Sequence, residues 1–304
     1  MARIRVPAST SNLGPGFDTL GLALSLYLDV DVEPCDDPSI AGSIVSVEGE
    51  GAAELPRTPD NMIHDAFRRA AEREGIAPPP VVFRVRNEIP VARGLGSSAA
   101  AVVAGLSAFA IASGREVSAE RILEYGTEIE QHADNIAPSL FGGLLACCTR
   151  VGGPPVVVRS EWPAELGIVL VIPEIPLLTS EARRILPDSV PRADAIFNVQ
   201  RAALFVTAIA EHRWDALGEA MRDRLHQPYR ERLLPGLAEV LALEPTDGLV
   251  GVALSGAGSA VLALATDHYE QVGARVAACF ETRGVAVTVR RLHADARGLV
   301  IEPG

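Results

Sequence analysis

The sequence predicts a mixed fold of strands and helices, α+β or α/β, in two domains. Three observations predict it. Strand-like and helix-like stretches interleave in both halves of the chain. The segment Val151-Gly152-Gly153-Pro154-Pro155 breaks the pattern near the middle, with a new apolar strand beyond it. A length of 304 residues at 48% apolar content supplies core for one large or two medium domains.

Taken in order, residues 4–7 and 27–33 read as strands, the second by its β-branched alternation, with turn chemistry in Asn12-Leu13-Gly14-Pro15-Gly16 between them. Residues 61–74 carry helical apolar spacing, and 81–86 alternate like a strand. Residues 97–113 form an uninterrupted small-residue helix, and 118–131 a further helix capped by Ser118. Past the break, 167–172 read as strand, 193–210 and 214–225 as helices, and 249–254 as strand. Ser255-Gly256-Ala257-Gly258-Ser259 is a second glycine loop, followed by a helix over 269–283 and a strand over 285–290. The domain boundary is placed at the break, giving 1–155 and 156–304. No internal repeat is visible.

Charge and composition exclude several functions. A formal charge of −12, with basic residues clustered no further than pairs such as Arg68-Arg69, offers no stripe for nucleic acid. Cys35, Cys147, Cys148 and Cys279 have no zinc spacing and read as buried thiols. With no apolar leader in Met1-Ala2-Arg3-Ile4-Arg5-Val6-Pro7, they predict a reducing, cytoplasmic setting. Two uncharged runs, 94–114 and 248–266, are too rich in Ala, Gly and Ser to be membrane spans. They read as a packed internal helix and as two segments hinged on the second glycine loop.

The chemistry is concentrated in Pro90-Val91-Ala92-Arg93-Gly94-Leu95-Gly96-Ser97-Ser98-Ala99-Ala100. Glycines let backbone approach a phosphate, and the free amides opening the next helix present their positive dipole end to it. The sequence contains no lysine. Walker-type ATPases, protein kinases, Schiff-base and pyridoxal-phosphate enzymes all depend on that side chain, so each is disfavoured. A phosphate site built from amides, a divalent cation and arginine remains.

Three stretches together resemble the GHMP small-molecule kinase superfamily: Pro7-Ala8-Ser9-Thr10-Ser11-Asn12-Leu13-Gly14-Pro15-Gly16-Phe17-Asp18, the phosphate loop, and Leu254-Ser255-Gly256-Ala257-Gly258-Ser259. Within it the chain is most similar to the homoserine kinase family. That family's order is followed by His132-Ala133-Asp134-Asn135-Ile136-Ala137-Pro138, Glu181-Ala182-Arg183 and Pro228-Tyr229-Arg230. The resemblance implies an α+β, two-domain GHMP kinase fold. Its amino-terminal, ATP-binding domain is ribosomal-protein-like with a left-handed crossover; its carboxy-terminal domain is ferredoxin-like. It also implies ATP with Mg²⁺, L-homoserine as the small-molecule substrate, O-phospho-L-homoserine for threonine biosynthesis as product, no nucleic-acid or membrane partner, and a homodimer.

On this resemblance, residues 90–100 hold the nucleotide phosphates, and Asn61 lies near the adenine; read from the residues alone, Asn61 is a helix cap. Ser98 and Glu124, the latter eight positions before His132, are assigned to the magnesium ion. Arg183 and Arg230, otherwise ordinary surface charges, are expected to grip the substrate carboxylate bidentately. Asp18 and Asp134 face its ammonium, and Asn12, His132 and Asn135 bond the hydroxyl or orient the carboxylates. Gly256 completes the acceptor set. Asn12, Asp18 and Asp134 are the catalytic candidates: an aspartate could take the hydroxyl proton, or the proton could pass late to phosphate, leaving orientation and electrostatics to do the catalysis. The third motif departs from the family pattern, with Ser259-Ala260 after Gly258 where Pro and a hydroxyl residue are usual. Any hydroxyl contact is then lost or shifted to Ser259. The rival readings are a sibling kinase for another small alcohol, which has no use for two carboxylate-binding arginines, and a silent ligand-binding relative, which has no use for metal ligands.

Overall fold

Strands β1 (Ala2–Asn12) and β2 (Gly16–Pro34) form one long antiparallel hairpin whose register runs from Ala2 opposite Val32 to Asn12 opposite Gly16. Both extend well past the expected strands. The reason lies in Ser9, Thr10 and Ser11, a polar run that reads as loop but is buried because each hydroxyl finds a partner: Ser9 and Ser11 on Asn135, Thr10 on Ser255. The computed structural model describes every residue except 1, 38, 42, 43, 59, 152 and 304.

The first sheet runs β11-β1-β2-β4-β3, where β3 is Ile44–Gly49, β4 is Val81–Asn87 and β11 is Val300–Pro303. β3 and β4 are parallel, with helix α1 (Met62–Arg73) between them in the chain. Near its start β2 also pairs with β5 (Leu144–Arg150), which folds back on β6 (Gly153–Ser160). Gly152 lies outside the described residues, but Arg150 pairs with Gly153, and Gly153, Pro154 and Pro155 belong to β6, so the Val151–Pro155 punctuation falls within a hairpin and not between domains. The expected boundary after residue 155 falls inside β6, and the chain enters the second sheet only at β7 (Gly167–Pro173). Pro154 and Pro155 are tolerated because β6 has one neighbour and leaves an edge free.

Helix α2 (Ser97–Ser113) runs through the centre of the first domain, packed on α1, β1, α3 (Ala119–Glu130) and α4 (Ile136–Phe141). Its small residues allow contact on every side, which is why it is apolar all round without spanning a membrane.

The second sheet has the order β10-β7-β9-β8, all antiparallel, with β8 Leu249–Leu254, β9 Val261–Ala265 and β10 Val287–Leu292. With helices after β7 and between β9 and β10, this is the β-α-β-β-α-β ferredoxin-like arrangement. One face carries α9 (Leu237–Leu241) and α10 (Tyr269–Glu281); the other packs with the first domain's core, Phe205 and Ile209 of α6 (Arg192–Ala210) and Leu217 of α7 (Leu217–Ala220). Strands covered on both faces read as continuous apolar runs, as β7, β8 and β9 do.

Two further expectations change. The helix expected over 214–225 is a 3₁₀ turn at Trp214–Ala216 and the short α7, because the Asp223 carboxylate accepts the amides of Leu225, His226 and Gln227 and turns the chain. Cys148 is exposed and Cys279 half-buried, since alternation along β5 sends Cys147 inward and Cys148 out. Among the described helices, α6 is long and apolar enough to cross a membrane, but Asn198 on it is buried and donates to Pro15 O and Asp223.

Candidate active site

A cleft of about 530 Å³ lies between the first-domain sheet, the start of α2 and the edge of the second domain. Its floor is the loop from Pro90 to Ser98. Gly94 and Gly96 sit at φ +73° and +69°, and the loop is bolted at several points: Ser255 Oγ donates to Gly94 O (2.7 Å), Ser9 N to Leu95 O (3.1 Å) and Ala260 N to Arg93 O (3.0 Å). The Arg93 side chain turns back, donating to Val91 O and Ala92 O. α2 begins at Gly96 with no side-chain cap, no acidic residue in its first turn, and its first intrahelical bond from Ala100 N to Gly96 O. The amides of Ser97, Ser98 and Ala99 thus open toward the cleft as an anion-binding end.

A Cβ on Gly94 would stand 2.1 Å from Ser255 O, backbone that belongs to the third motif. Gly94→Ala is expected to cost more than about 2 kcal/mol, combining left-handed strain with displacement of that loop. Gly114→Ala, also at positive φ but with nothing within 4 Å, should cost about 1 kcal/mol. Equal losses in denaturant melts would contradict the packing argument.

Beside the helix terminus, Ser98 Oγ donates to Glu130 Oε1 and lies 2.8 Å from Met62 Sδ. Glu124 is elsewhere. It is six residues from Glu130, about 240° around the helix, on the side near Arg73 of α1, whose pKa is raised chiefly by its hydrogen bond and ion pair with Glu128, the Glu124 charge adding least. The carboxylate that stands beside Ser98 in the cleft is therefore Glu130, two residues before His132, and not Glu124. Among the described residues no group of three or more His, Cys, Asp or Glu gathers in a metal-binding cluster.

The far end of the cleft mixes charges of both signs. Arg183, on α5 (Thr179–Arg184), makes a two-point pair with Asp18 at 3.0 and 2.5 Å. Asn12, at φ +69°, accepts from Asp18 N through its amide oxygen (3.1 Å) and donates to Gly256 O (2.9 Å), so the first and third motifs set each other's position. Arg230, 2% exposed, ends α8 (Gln227–Arg230). Its Nε donates to Ala182 O (3.2 Å), and its Nη1 to Gly256 O (2.9 Å) and His226 Nδ1 (3.0 Å). Burial, reinforced by the neighbouring Arg183 charge, pushes its pKa down to about 10, still protonated at neutral pH. Both guanidinium groups lie against Phe17, each 5.5 Å from its ring centre.

His132 and Asp134, both buried, are joined at 2.8 Å. Burial alone would depress the imidazole, but the hydrogen bond and charge of Asp134 outweigh it and raise the pKa above the ordinary 6.5. A raised folded-state value means the pair's stabilisation is complete below about pH 6.5 and is lost as pH rises through the raised value. The melting temperature of the protein minus that of His132→Gln should therefore shrink from pH 6 to alkaline pH, on the order of a few degrees. A constant difference would contradict the pairing.

The two halves match the descriptions "GHMP kinases N terminal domain" over residues 61–143 and "GHMP kinases C terminal" over residues 205–282. The chain is 40% identical over 301 residues to homoserine kinase of Moorella thermoacetica, covering 99% of this chain and 100% of that one. The chain belongs to the homoserine kinase family of the GHMP kinases. A second family member, from Aquifex aeolicus, is 40% identical over 273 residues, 90% of each chain. The crystal structure of homoserine kinase from Cytophaga hutchinsonii superposes with a TM-score of 0.85 at 26% identity, covering 99% of this chain and 97% of that one. The two-domain fold expected from the resemblance is thereby established.

For this member of the homoserine kinase family, the cleft is lined by Asn12, Asp18, Asn61, residues 90–99, His132, Asp134, Asn135, Arg183, Arg230 and Gly256. Glu124 and Ala100 are not among them: the Ala100 amide is spent on Gly96 and its side chain lies in the core. Asn61 caps α1, accepting from Ile63 N (2.9 Å) and donating to Pro56 O (2.9 Å), so both ends of its amide are engaged while it borders the cleft. Asn135 is likewise held between Ser9 and Ser11 and fixes β1. Arg230 departs from the expected bidentate grip. Both Nη1 protons and the Nε proton are committed to protein, leaving Nη2, which donates to no described residue. Ser259 Oγ turns away, donating to Ile175 O (2.5 Å) and Pro173 O, so it replaces no contact in the cleft. Sequence reasoning missed Glu130, Phe17 and His226. Phe17 stood inside the first motif, and His226 four residues before Arg230, one helical turn away.

Proposed function

We infer that the chain is an ATP-dependent homoserine kinase, transferring the γ-phosphoryl group to the side-chain hydroxyl of L-homoserine and supplying O-phospho-L-homoserine for threonine biosynthesis. The observation that carries this reading is that one cleft joins an uncapped helix N-terminus to a pocket holding two arginines and two aspartates. An anion-binding terminus suits a polyphosphate. A pocket of both signs suits an acceptor that carries carboxylate and ammonium together.

The nucleotide phosphates are placed against the amides of Ser97, Ser98 and Ala99, with the adenine toward Asn61 and Met62. Ser98 and Glu130 supply hydroxyl and carboxylate oxygen, the hard donors magnesium prefers when water and phosphate complete its shell. The bound ion supplies charge neutralisation on the β- and γ-phosphates. Arg183 and the Nη2 of Arg230 take the substrate carboxylate, and Asp18, released from Arg183, takes the ammonium with Asp134. The His132–Asp134 pair borders the hydroxyl. Phosphoryl transfer asks the protein mainly for alignment and charge stabilisation, which these fixed groups provide.

Phosphorus NMR of the protein with magnesium, ATP and L-homoserine tests the reading. A phosphomonoester resonance that grows only when all three are present is the expected result. ADP and inorganic phosphate without a phosphomonoester would contradict it.

A further inference from the structure

Behind the acceptor pocket lies a histidine that no substrate can reach. His226 is fully buried. Its Nε2 faces the Gly14 carbonyl oxygen at 2.7 Å, so that nitrogen carries the proton and donates. Its Nδ1 is then a bare acceptor and receives Arg230 Nη1 at 3.0 Å. The ring stacks on Phe17, centres 5.2 Å apart and planes 22° from parallel, on the loop that also carries Asp18. Asp223 Oδ2 stands 3.6 Å from Nε2, but the Asp223 oxygens already accept three backbone amides and Asn198.

We propose that His226 is a positioning residue: as a neutral Nε2–H imidazole it sets the rotation of the Arg230 guanidinium and ties it to the Gly14–Asp18 loop, leaving Nη2 for the substrate carboxylate. The proposal deepens the reading above and rests on it. A neutral imidazole is one donor and one acceptor about 2 Å apart on a rigid ring, matched here to a carbonyl on one side and a cation on the other. Burial, which depresses the His226 pKa, keeps it in this form. If the ring were protonated, Nδ1 would present a proton to a guanidinium and the contact would turn repulsive. Neighbouring bonds hold the same junction: Asn198 donates to Pro15 O, and Leu254 N donates to the Gln227 side-chain oxygen. First motif and acceptor arginine therefore meet at this histidine, and the third motif joins them through Gly256 O, shared by Asn12 and Arg230.

The test compares wild type, His226→Phe and His226→Gln with two acceptors, L-homoserine and 3-aminopropan-1-ol, which is homoserine without its carboxylate. Phenylalanine keeps the stack but removes both polar contacts; glutamine keeps one donor and one acceptor. For His226→Phe the expected result is a KM for L-homoserine raised at least about tenfold, the scale of a hydrogen bond to a charged group. The KM for ATP and the turnover of 3-aminopropan-1-ol should stay within about threefold, and His226→Gln should restore most of the loss. Should His226→Phe not fold, His226→Asn, whose shorter amide cannot span both partners, carries the same comparison. Equal losses for both acceptors, or no difference between the Gln and Phe variants, would overturn the proposal while wild-type preference for L-homoserine leaves the proposed function standing. A wild type that ignores L-homoserine overturns both.

Discussion

Glu130→Gln is expected to lower the turnover rate by about 10²- to 10³-fold at a magnesium concentration that just saturates the wild type, the loss typical of removing one fixed charge-stabilising group. Glu124→Gln should leave it within about twofold. The two residues share a helix and a chemistry, and only geometry separates them: Glu130 bonds Ser98 at the open end of α2, while Glu124 lies about 240° around α3 and does not line the cleft. Glutamine keeps the shape and polarity of the side chain, so a defect reports the charge. A further signature follows from the magnesium role: the Glu130→Gln defect should lessen as magnesium is raised, because a weaker site is refilled by mass action. Equal activity of the two variants would remove the proposed metal contact.

Arg183→Ala is expected to raise the KM for L-homoserine by about 10- to 100-fold, with the KM for ATP within about threefold. Arg183 is about one-third exposed and, among the described residues, its side chain hydrogen-bonds only Asp18, so its removal costs little folding stability. In the proposed reading, the pair with Asp18 also sets the selectivity. A ligand must offer a carboxylate to Arg183 and an ammonium to Asp18 to compensate for separating them, and a neutral alcohol offers neither. Asp18→Asn should accordingly raise the KM for L-homoserine more than it lowers kcat; near-total loss of turnover with unchanged homoserine binding would instead make Asp18 the sole base.

Much of the site was legible in the sequence because its backbone requirements are chemical. Gly94 and Gly96 mark left-handed turns that no side chain tolerates well, and the small residues after them announce a helix that opens without a cap. Charge in a helix is less legible, since Glu124 and Glu130 differ only in the face each presents, and that is set by what α3 packs against. Asn12, Asp18, Arg183 and Arg230 were legible through the order of the motifs, yet how many protons Arg230 has left depends on His226, Ala182 and Gly256, which meet only in the folded chain. The polar strand Ser9-Thr10-Ser11 looked like loop for the same reason: its partners, Asn135 and Ser255, are more than a hundred residues away. The β5–β6 hairpin shows the converse, because glycine and proline mark a turn equally well inside a domain and between two.

The most direct test of the account is ADP release from magnesium-ATP measured with L-homoserine, L-threonine, L-serine, mevalonate and galactose in turn. Release that depends on L-homoserine and is at background with mevalonate and galactose is the predicted result. Release driven by a neutral alcohol, or ATP binding without release for any acceptor, would contradict it.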